Sequence, residues 1–172
     1  MTETIAEAAT AGDYESFAQL VREYTDWCRI RYGEDKWFVD AAFNHQSLDA
    51  ELAVLAISYG PPKGKTLLAK SDGEVCGGVA YRKLSDSICE MKRLFVLDRF
   101  KGKGIGRRLC EAIIGEARTD GFQIMRLDTG NLLTEAIKMY EAFGFRPCEA
   151  YNEYPEELLP YIVFMEKRLT DA

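Results

Sequence analysis

Apolar positions along the chain change their period several times, and each change marks an element. Ile5-Ala6-Glu7-Ala8 reads as a short first strand. Phe17, Leu20, Val21, Tyr24 and Cys28 then recur at three- and four-residue spacing, which predicts an amphipathic helix over about Tyr14 to Tyr32 with Asp13 as its N-cap. A weaker helix is expected near Asp49 to Ile57, before Tyr59-Gly60-Pro61-Pro62-Lys63-Gly64 breaks the chain. From Thr66 the period falls to two. Leu67 to Lys70, the turn Ser71-Asp72-Gly73-Glu74 and Val75 to Arg82 form an expected β-hairpin, and Ile88 to Leu97 a further strand. A helix follows with Ile105, Leu109, Ala112, Ile113 and Ala117 on one face, stopped by Gly121. Gln123 to Asp128 is the next strand. The helix after it turns Ala136, Ile137, Tyr140 and Phe143 inward and closes at Gly144, and Phe145 to Cys148 and Ile162 to Lys167 supply two last strands.

Hairpin strands followed by β-α-β-α-β predict an α/β sandwich with a mixed sheet, parallel across the two helical crossovers and antiparallel elsewhere. No period of 20 to 50 residues and no low-complexity tract interrupts it. With 172 residues, 47% of them hydrophobic, the chain is long enough for one full core and short for two, so a single domain over 1–172 is expected.

The net charge of −6 argues against a nucleic-acid or membrane-surface partner. There is no basic leader with an apolar core and no run of about 18 apolar residues. The expectation is therefore a cytoplasmic chain. Cys28, Cys76, Cys89, Cys110 and Cys148 are widely spaced and form no C-x-x-C pair, which reads as free thiols and no metal site. His45 is the only histidine and lies in a polar context, Phe43-Asn44-His45-Gln46-Ser47, that favours a structural role over a catalytic one.

Charge becomes informative when it is located. Lys92, Arg93, Arg99, Lys101, Lys103, Arg107 and Arg108 are opposed only by Asp98 between residues 92 and 108, a local net of +6 in an acidic chain. Within this stretch Lys101-Gly102-Lys103-Gly104-Ile105-Gly106-Arg107 lies between a strand and a helix. Glycines let backbone N–H groups converge on an anion, and a helix N-terminus adds partial positive charge, so the pattern predicts a phosphate cradle for a polyphosphorylated ligand. A dinucleotide fingerprint would need its third glycine at position 107, where Arg107 stands. A P-loop fails at Gly60-Pro61-Pro62-Lys63-Gly64-Lys65-Thr66, which has three residues between its glycines instead of four.

The segment resembles the GNAT N-acetyltransferase superfamily. Its acetyl-CoA signature, [Q/R]-x-x-G-x-[G/A], is met by residues 101–106 with Lys101 in place of Arg or Gln, which keeps charge but loses bidentate geometry. Glu90 to Val96, Leu127-Asp128-Thr129 and Ala136 to Phe145 follow in the order and spacing of that family. The likeness covers residues 66–169 well, as an acetyl-CoA-binding core, and residues 1–65 loosely, as the variable part that shapes the acceptor site.

The resemblance implies a three-layer sandwich around a mixed, mostly antiparallel sheet, with a splayed parallel strand pair at the CoA site. It implies that the pantetheine arm bonds the backbone of Leu94, Phe95 and Val96, and that the pyrophosphate rests on Lys101, Gly102, Lys103, Gly104, Ile105, Gly106 and Arg107. The family's asparagine three residues ahead of the alanine is Leu133 here; Asn131, two positions earlier, is the side chain that would reach the pantetheine arm. Tyr140 matches the tyrosine whose hydroxyl protonates the departing CoA thiolate, and it also fits a core stripe. Strict alternation puts Glu90, Lys92, Leu94 and Val96 on one face, where Glu90 acts as general base through a water or pairs with Lys92 or Arg93.

The expected activity is acetyl transfer from acetyl-CoA to a primary amine by direct attack, without a metal. The acceptor is a small cationic amine or a protein amine. Glu149, Glu153, Glu156 and Glu157, interleaved with Tyr151, Tyr154 and Tyr161, either rim the acceptor cleft or form a solvated loop. Tyr24, Trp27, Tyr32, Trp37 and Phe38 either line it or pack as core. The competing readings are a non-catalytic acyl-CoA-binding sensor and another nucleotide-binding enzyme. A homodimer is expected by analogy alone.

Overall fold

The computed structural model describes residues 2–170. Strands β1 (Glu3–Glu7), β2 (Gly64–Ser71), β3 (Glu74–Lys83), β4 (Ile88–Val96), β5 (Ile124–Gly130), β6 (Arg146–Pro147) and β7 (Ile162–Arg168) form one sheet in the order β1-β2-β3-β4-β5-β7-β6. Every pairing is antiparallel except β4 with β5. Helices α1 (Ala11–Tyr32), α2 (Lys36–His45), α3 (Leu48–Ala53) and α4 (Leu55–Ser58) cover one face, and α5 (Ile105–Thr119) with α6 (Thr134–Ala142) the other. The three layers and the mixed sheet match the expected architecture.

Helix α1 begins one turn earlier than its apolar period suggests. Its cap is Thr10, whose Oγ1 accepts the Asp13 N–H at 3.1 Å, while Asp13 Oδ2 accepts the Thr10 N–H at 3.0 Å. Asp13 is thus the third helical residue of a capping box and not the cap itself. Its buried face carries Phe17, Leu20, Val21, Cys28 and Tyr32. Against it lies Gly78 of β3, where a Cβ would stand 3.0 Å from the Phe17 ring.

The helix expected over Asp49 to Ile57 is two short pieces broken at Val54, and α2, which the apolar pattern does not reveal, precedes them. The larger correction concerns β4. Gly78 pairs with Phe95 and Ala80 with Lys92, so two residues of β4, Arg93 and Leu94, oppose Val79 alone. Arg93 takes φ +61 in this bulge. The extra residue reverses the alternation. Cys89, Met91, Leu94 and Val96 face α5, while Phe95 and Leu97 face α1. Leu94 and Val96 therefore lie opposite to the face of Glu90 and Lys92, contrary to strict alternation.

Candidate active site

Parallel pairing of β4 with β5 ends at Glu90 and Arg126, although both strands continue. Beyond that point they part, and a cleft of about 600 Å³ opens between them. The Leu97 N–H donates to Cys76 O on β3, so by alternation the amides of Val96 and Leu94 turn toward the cleft. Leu94, Phe95 and Val96 all line it.

At one end of the cleft is the glycine loop. Gly102 and Gly104 have φ +78 and +77, a region that L side chains enter at a cost, and Gly104 caps α5. Among the described residues, the N–H groups from Gly102 to Arg107 donate to no backbone or side-chain acceptor. Gly102, Gly104, Ile105 and Gly106 line the cleft with Lys101, whose ammonium lies 4.0 Å from the Trp27 ring centre and 2.6 Å from Asp98 Oδ1. Lys103 and Arg107 stand exposed beside the loop, over the rings of Phe100 and Phe143.

The basic segment is less concentrated in space than in sequence. Arg99 pairs with Glu74 and Arg108 with Glu3, while Lys92 and Arg93 are buried on the far side of the sheet. Only Lys103 and Arg107 of the seven lack a carboxylate partner among the described residues; that of Lys92 is Glu90, 3.9 Å away.

Tyr140 projects from α6 and is 6% exposed. Burial pushes its phenol well above the ordinary value of 10, with the nearby Cys110 adding to the rise. The hydroxyl makes no hydrogen bond among the described residues and lines the cleft. It is a protonated group with an unspent donor. Asn131 is turned elsewhere: its Oδ1 accepts from the Tyr32 hydroxyl at 3.1 Å, and Leu133 lines the cleft in its place.

Past Tyr24, Leu94, Thr129, Leu133 and Tyr140 the cleft continues into an inner chamber of about 80 Å³. Its polar wall is Lys92, Arg93, Asp128, Gln46 and Tyr154. Cys28 also reaches it, but burial pushes that thiol up to about 12, leaving no thiolate nucleophile at neutral pH.

Glu90 lines neither cavity and is fully buried. Its Oε1 accepts from Arg82 Nε at 2.7 Å, and its Oε2 from the Tyr151 hydroxyl at 2.7 Å and Asn152 Nδ2 at 2.8 Å. Burial alone would raise its pKa; Lys92, Arg82 and these hydrogen bonds outweigh that and hold it below the usual carboxylate value. Glu90 sits in an ion pair, but its close partner is Arg82 and not the Lys92 or Arg93 expected from the sequence: Lys92 stands 3.9 Å away and Arg93 pairs with Glu51.

The acidic segment divides by residue. Glu149, Glu156 and Glu157 are exposed and line neither cavity, whereas Tyr154 donates to Asp128 and Tyr161 stacks on Phe38 at 4.9 Å. Trp27 lines the cleft, Tyr32 and Phe38 the chamber, and Tyr24 both; Trp37 lines neither. His45 ends α2, its Nε2 2.7 Å from Glu153 O. The sequence assigns no role at the site to Asp128 or Gln46. The signal available for Asp128 was its place at the carboxyl end of a parallel strand, where α/β sheets bind ligands.

Residues 36–145 match the family model described as Acetyltransferase (GNAT) family. This chain belongs to the GNAT acetyltransferase family. An uncharacterised N-acetyltransferase of Schizosaccharomyces pombe is 34% identical to this GNAT chain over 92% of its length and 90% of the relative's. One from Escherichia coli is also 34% identical, over 79% and 78%. The PaiA N-acetyltransferase of Thermoplasma acidophilum, solved in complex with coenzyme A, shares the GNAT fold with a TM-score of 0.70 over 98% of this chain and 99% of that one, at 17% identity. By family the chain is an N-acetyltransferase. No group of His, Cys, Asp and Glu among the described residues is arranged to hold a metal ion, and no described helix is long and apolar enough to cross a membrane.

Proposed function

We propose that the protein transfers an acetyl group from acetyl-CoA to a primary amine by direct attack. The observation that carries this reading is the cleft itself: unpaired β4 amides along one wall, free loop amides at one end, and the unbonded Tyr140 hydroxyl where cleft meets chamber. Acetyl-CoA supplies the activated thioester.

In this reading the amides of Gly102 to Arg107 hold the pyrophosphate, with Lys103 and Arg107 close by as counter-charges. The amide of Val96 bonds the pantetheine arm, and that of Leu94, where cleft meets chamber, meets the negative charge that develops on the thioester oxygen. As the N–C bond forms and the C–S bond breaks, Tyr140 gives its proton to sulfur. Its raised pKa keeps it a donor throughout the neutral range. Asp128, the carboxylate of the chamber wall, takes the proton that the amine loses, a role its position suits better than that of Glu90.

Tyr140→Phe tests this assignment. Coenzyme A release with a saturating amine is expected to fall about 100-fold, within the range for a positioned general acid, while calorimetric acetyl-CoA affinity stays at the wild-type value. Unchanged turnover under conditions where chemistry limits the rate would remove Tyr140 from the mechanism.

A further inference from the structure

The chamber beyond the cofactor cleft has donors and acceptors that the chain itself leaves unused. Arg93, at the bulge of β4, has a side chain only 5% exposed. Its Nε donates to Glu51 Oε2 at 3.0 Å and its guanidinium lies over the Phe43 ring. Nη2 is buried and donates no hydrogen bond, although it stands 3.0 Å from the same Glu51 oxygen as an ion-pair contact. Lys92 Nζ makes no hydrogen bond among the described residues, and its recorded carboxylate contact, Glu90, is 3.9 Å distant. Two cationic side chains, each with an unspent N–H donor, therefore belong to the wall of one chamber.

The same chamber has two unspent acceptors. Asp128 Oδ2 accepts from Asn152 Nδ2 at 2.9 Å and from the Tyr154 hydroxyl at 3.0 Å, but Oδ1 accepts nothing and no basic side chain forms an ion pair with it among the described residues. Gln46 Oε1 is buried without a donor. The orientation of that amide is fixed: the Tyr154 hydroxyl donates its hydrogen bond to Asp128, so toward Gln46 its oxygen can only accept, and Gln46 Nε2 supplies the bond at 2.8 Å.

We infer that the acceptor is a free amino acid, with its carboxylate on Arg93 and Lys92 and its ammonium on Asp128 and Gln46. This rests on the acetyl-transfer reading above and names the acceptor class of the same site. Buried donors and acceptors are nearly always paired, and a zwitterion pairs both sets at once. A polyamine would bring further positive charge against Arg93 and Lys92. A peptide N-terminus offers a neutral amide where the two cations call for an anion. An arginine fork matches a carboxylate bidentately, and the chamber's about 80 Å³ suits the compact head of a small amino acid, with the wider cleft left to the cofactor.

The experiment uses the intact protein, acetyl-CoA and matched acceptors. The twenty common amino acids are compared with their carboxamides, with the corresponding decarboxylated amines, with spermidine and with a short peptide of free N-terminus, by coenzyme A release. The best amino acid is expected to exceed its own carboxamide and amine by at least about 100-fold in kcat/KM, because a site built to bind a polar group discriminates strongly against its absence. Lys92→Met and, separately, Arg93→Lys should raise the KM for that amino acid about tenfold while calorimetric acetyl-CoA affinity is unchanged. Having two variants guards against one failing to fold. Equal or better transfer to carboxamides, spermidine or the peptide, or acetyl-CoA binding with no transfer to any amino acid, overturns the acceptor assignment. Failure of acetyl-CoA to bind overturns the acetyl-transfer reading itself.

Discussion

Gly104 stands between the cofactor loop and α5 with φ +77, and its amide belongs to the unpaired run that ends at Arg107. Substitution by alanine forces an L side chain into the left-handed region, which costs roughly 1–2 kcal/mol. Gly104→Ala is therefore expected to lower the melting temperature and, by moving the loop amides, to weaken acetyl-CoA binding at least tenfold by calorimetry. Wild-type affinity would show that the loop does not hold the phosphates. Such single positions differ in how far the sequence discloses them. Alternating glycines announce Gly104. Nothing in Lys92-Arg93-Leu94 announces that Arg93 adopts φ +61, so the face reversal after it is invisible without the β3 partner. Asp128, Asn152 and Tyr154 meet in space across more than twenty residues of chain, a convergence that no local pattern encodes.

At the scale of elements, legibility follows length and regularity. Helix α5 shows its buried Ile105, Leu109, Ile113 and Ala117 at helical spacing. Helix α2 is only ten residues long, has no side-chain cap at Asp35, and buries just Phe38, Val39 and Ala42, which is too little period to stand out. Yet it and the loop after it bring Phe38, Val39, Ala42, Phe43 and Gln46 to the inner chamber. For α1 the start rests on a capping box that reciprocally satisfies two amides. Thr10→Ala is expected to destabilise the protein by about 1 kcal/mol, seen as a lower melting temperature, without changing acetyl-CoA affinity. An unchanged melting temperature would mean that α1 is held by its packing alone.

At the scale of the whole molecule, the acidic sequence surrounds an interior charge cluster. Arg82, Lys92 and Arg93 interleave with Glu51, Glu90 and Asp128 between β3, β4, β5 and the α3 segment. Burial would raise the pKa of Glu51 as it would that of Glu90, but Arg93 and its hydrogen bond outweigh it, and both carboxyls end below the ordinary value of 4.5. A carboxylate with its folded pKa lowered stabilises the fold above the unfolded value and loses that contribution as pH falls through the folded one. Denaturant titrations should thus show a stability plateau near neutrality and a steep fall below about pH 4.5. Glu90→Gln should lower the plateau, since Lys92 and Arg82 then face a neutral amide, and should flatten the acid slope. Wild-type stability and slope in that variant would show that the cluster is energetically idle.

The parting of β4 from β5 beyond Glu90 also gives this sheet an edge in its own interior. Unpaired strand edges usually lie at a sheet's rim, where they recruit other chains and must be blunted. Here the edge is walled by α1 and α6, and only a slender extended molecule entering along the cleft can complete it. Amide hydrogen exchange should register the difference. The N–H groups of Leu94 and Val96 will exchange faster than those of Cys89 and Glu90 in the free protein, and a ligand lying along the strand will slow them as though a rung had been added to the ladder.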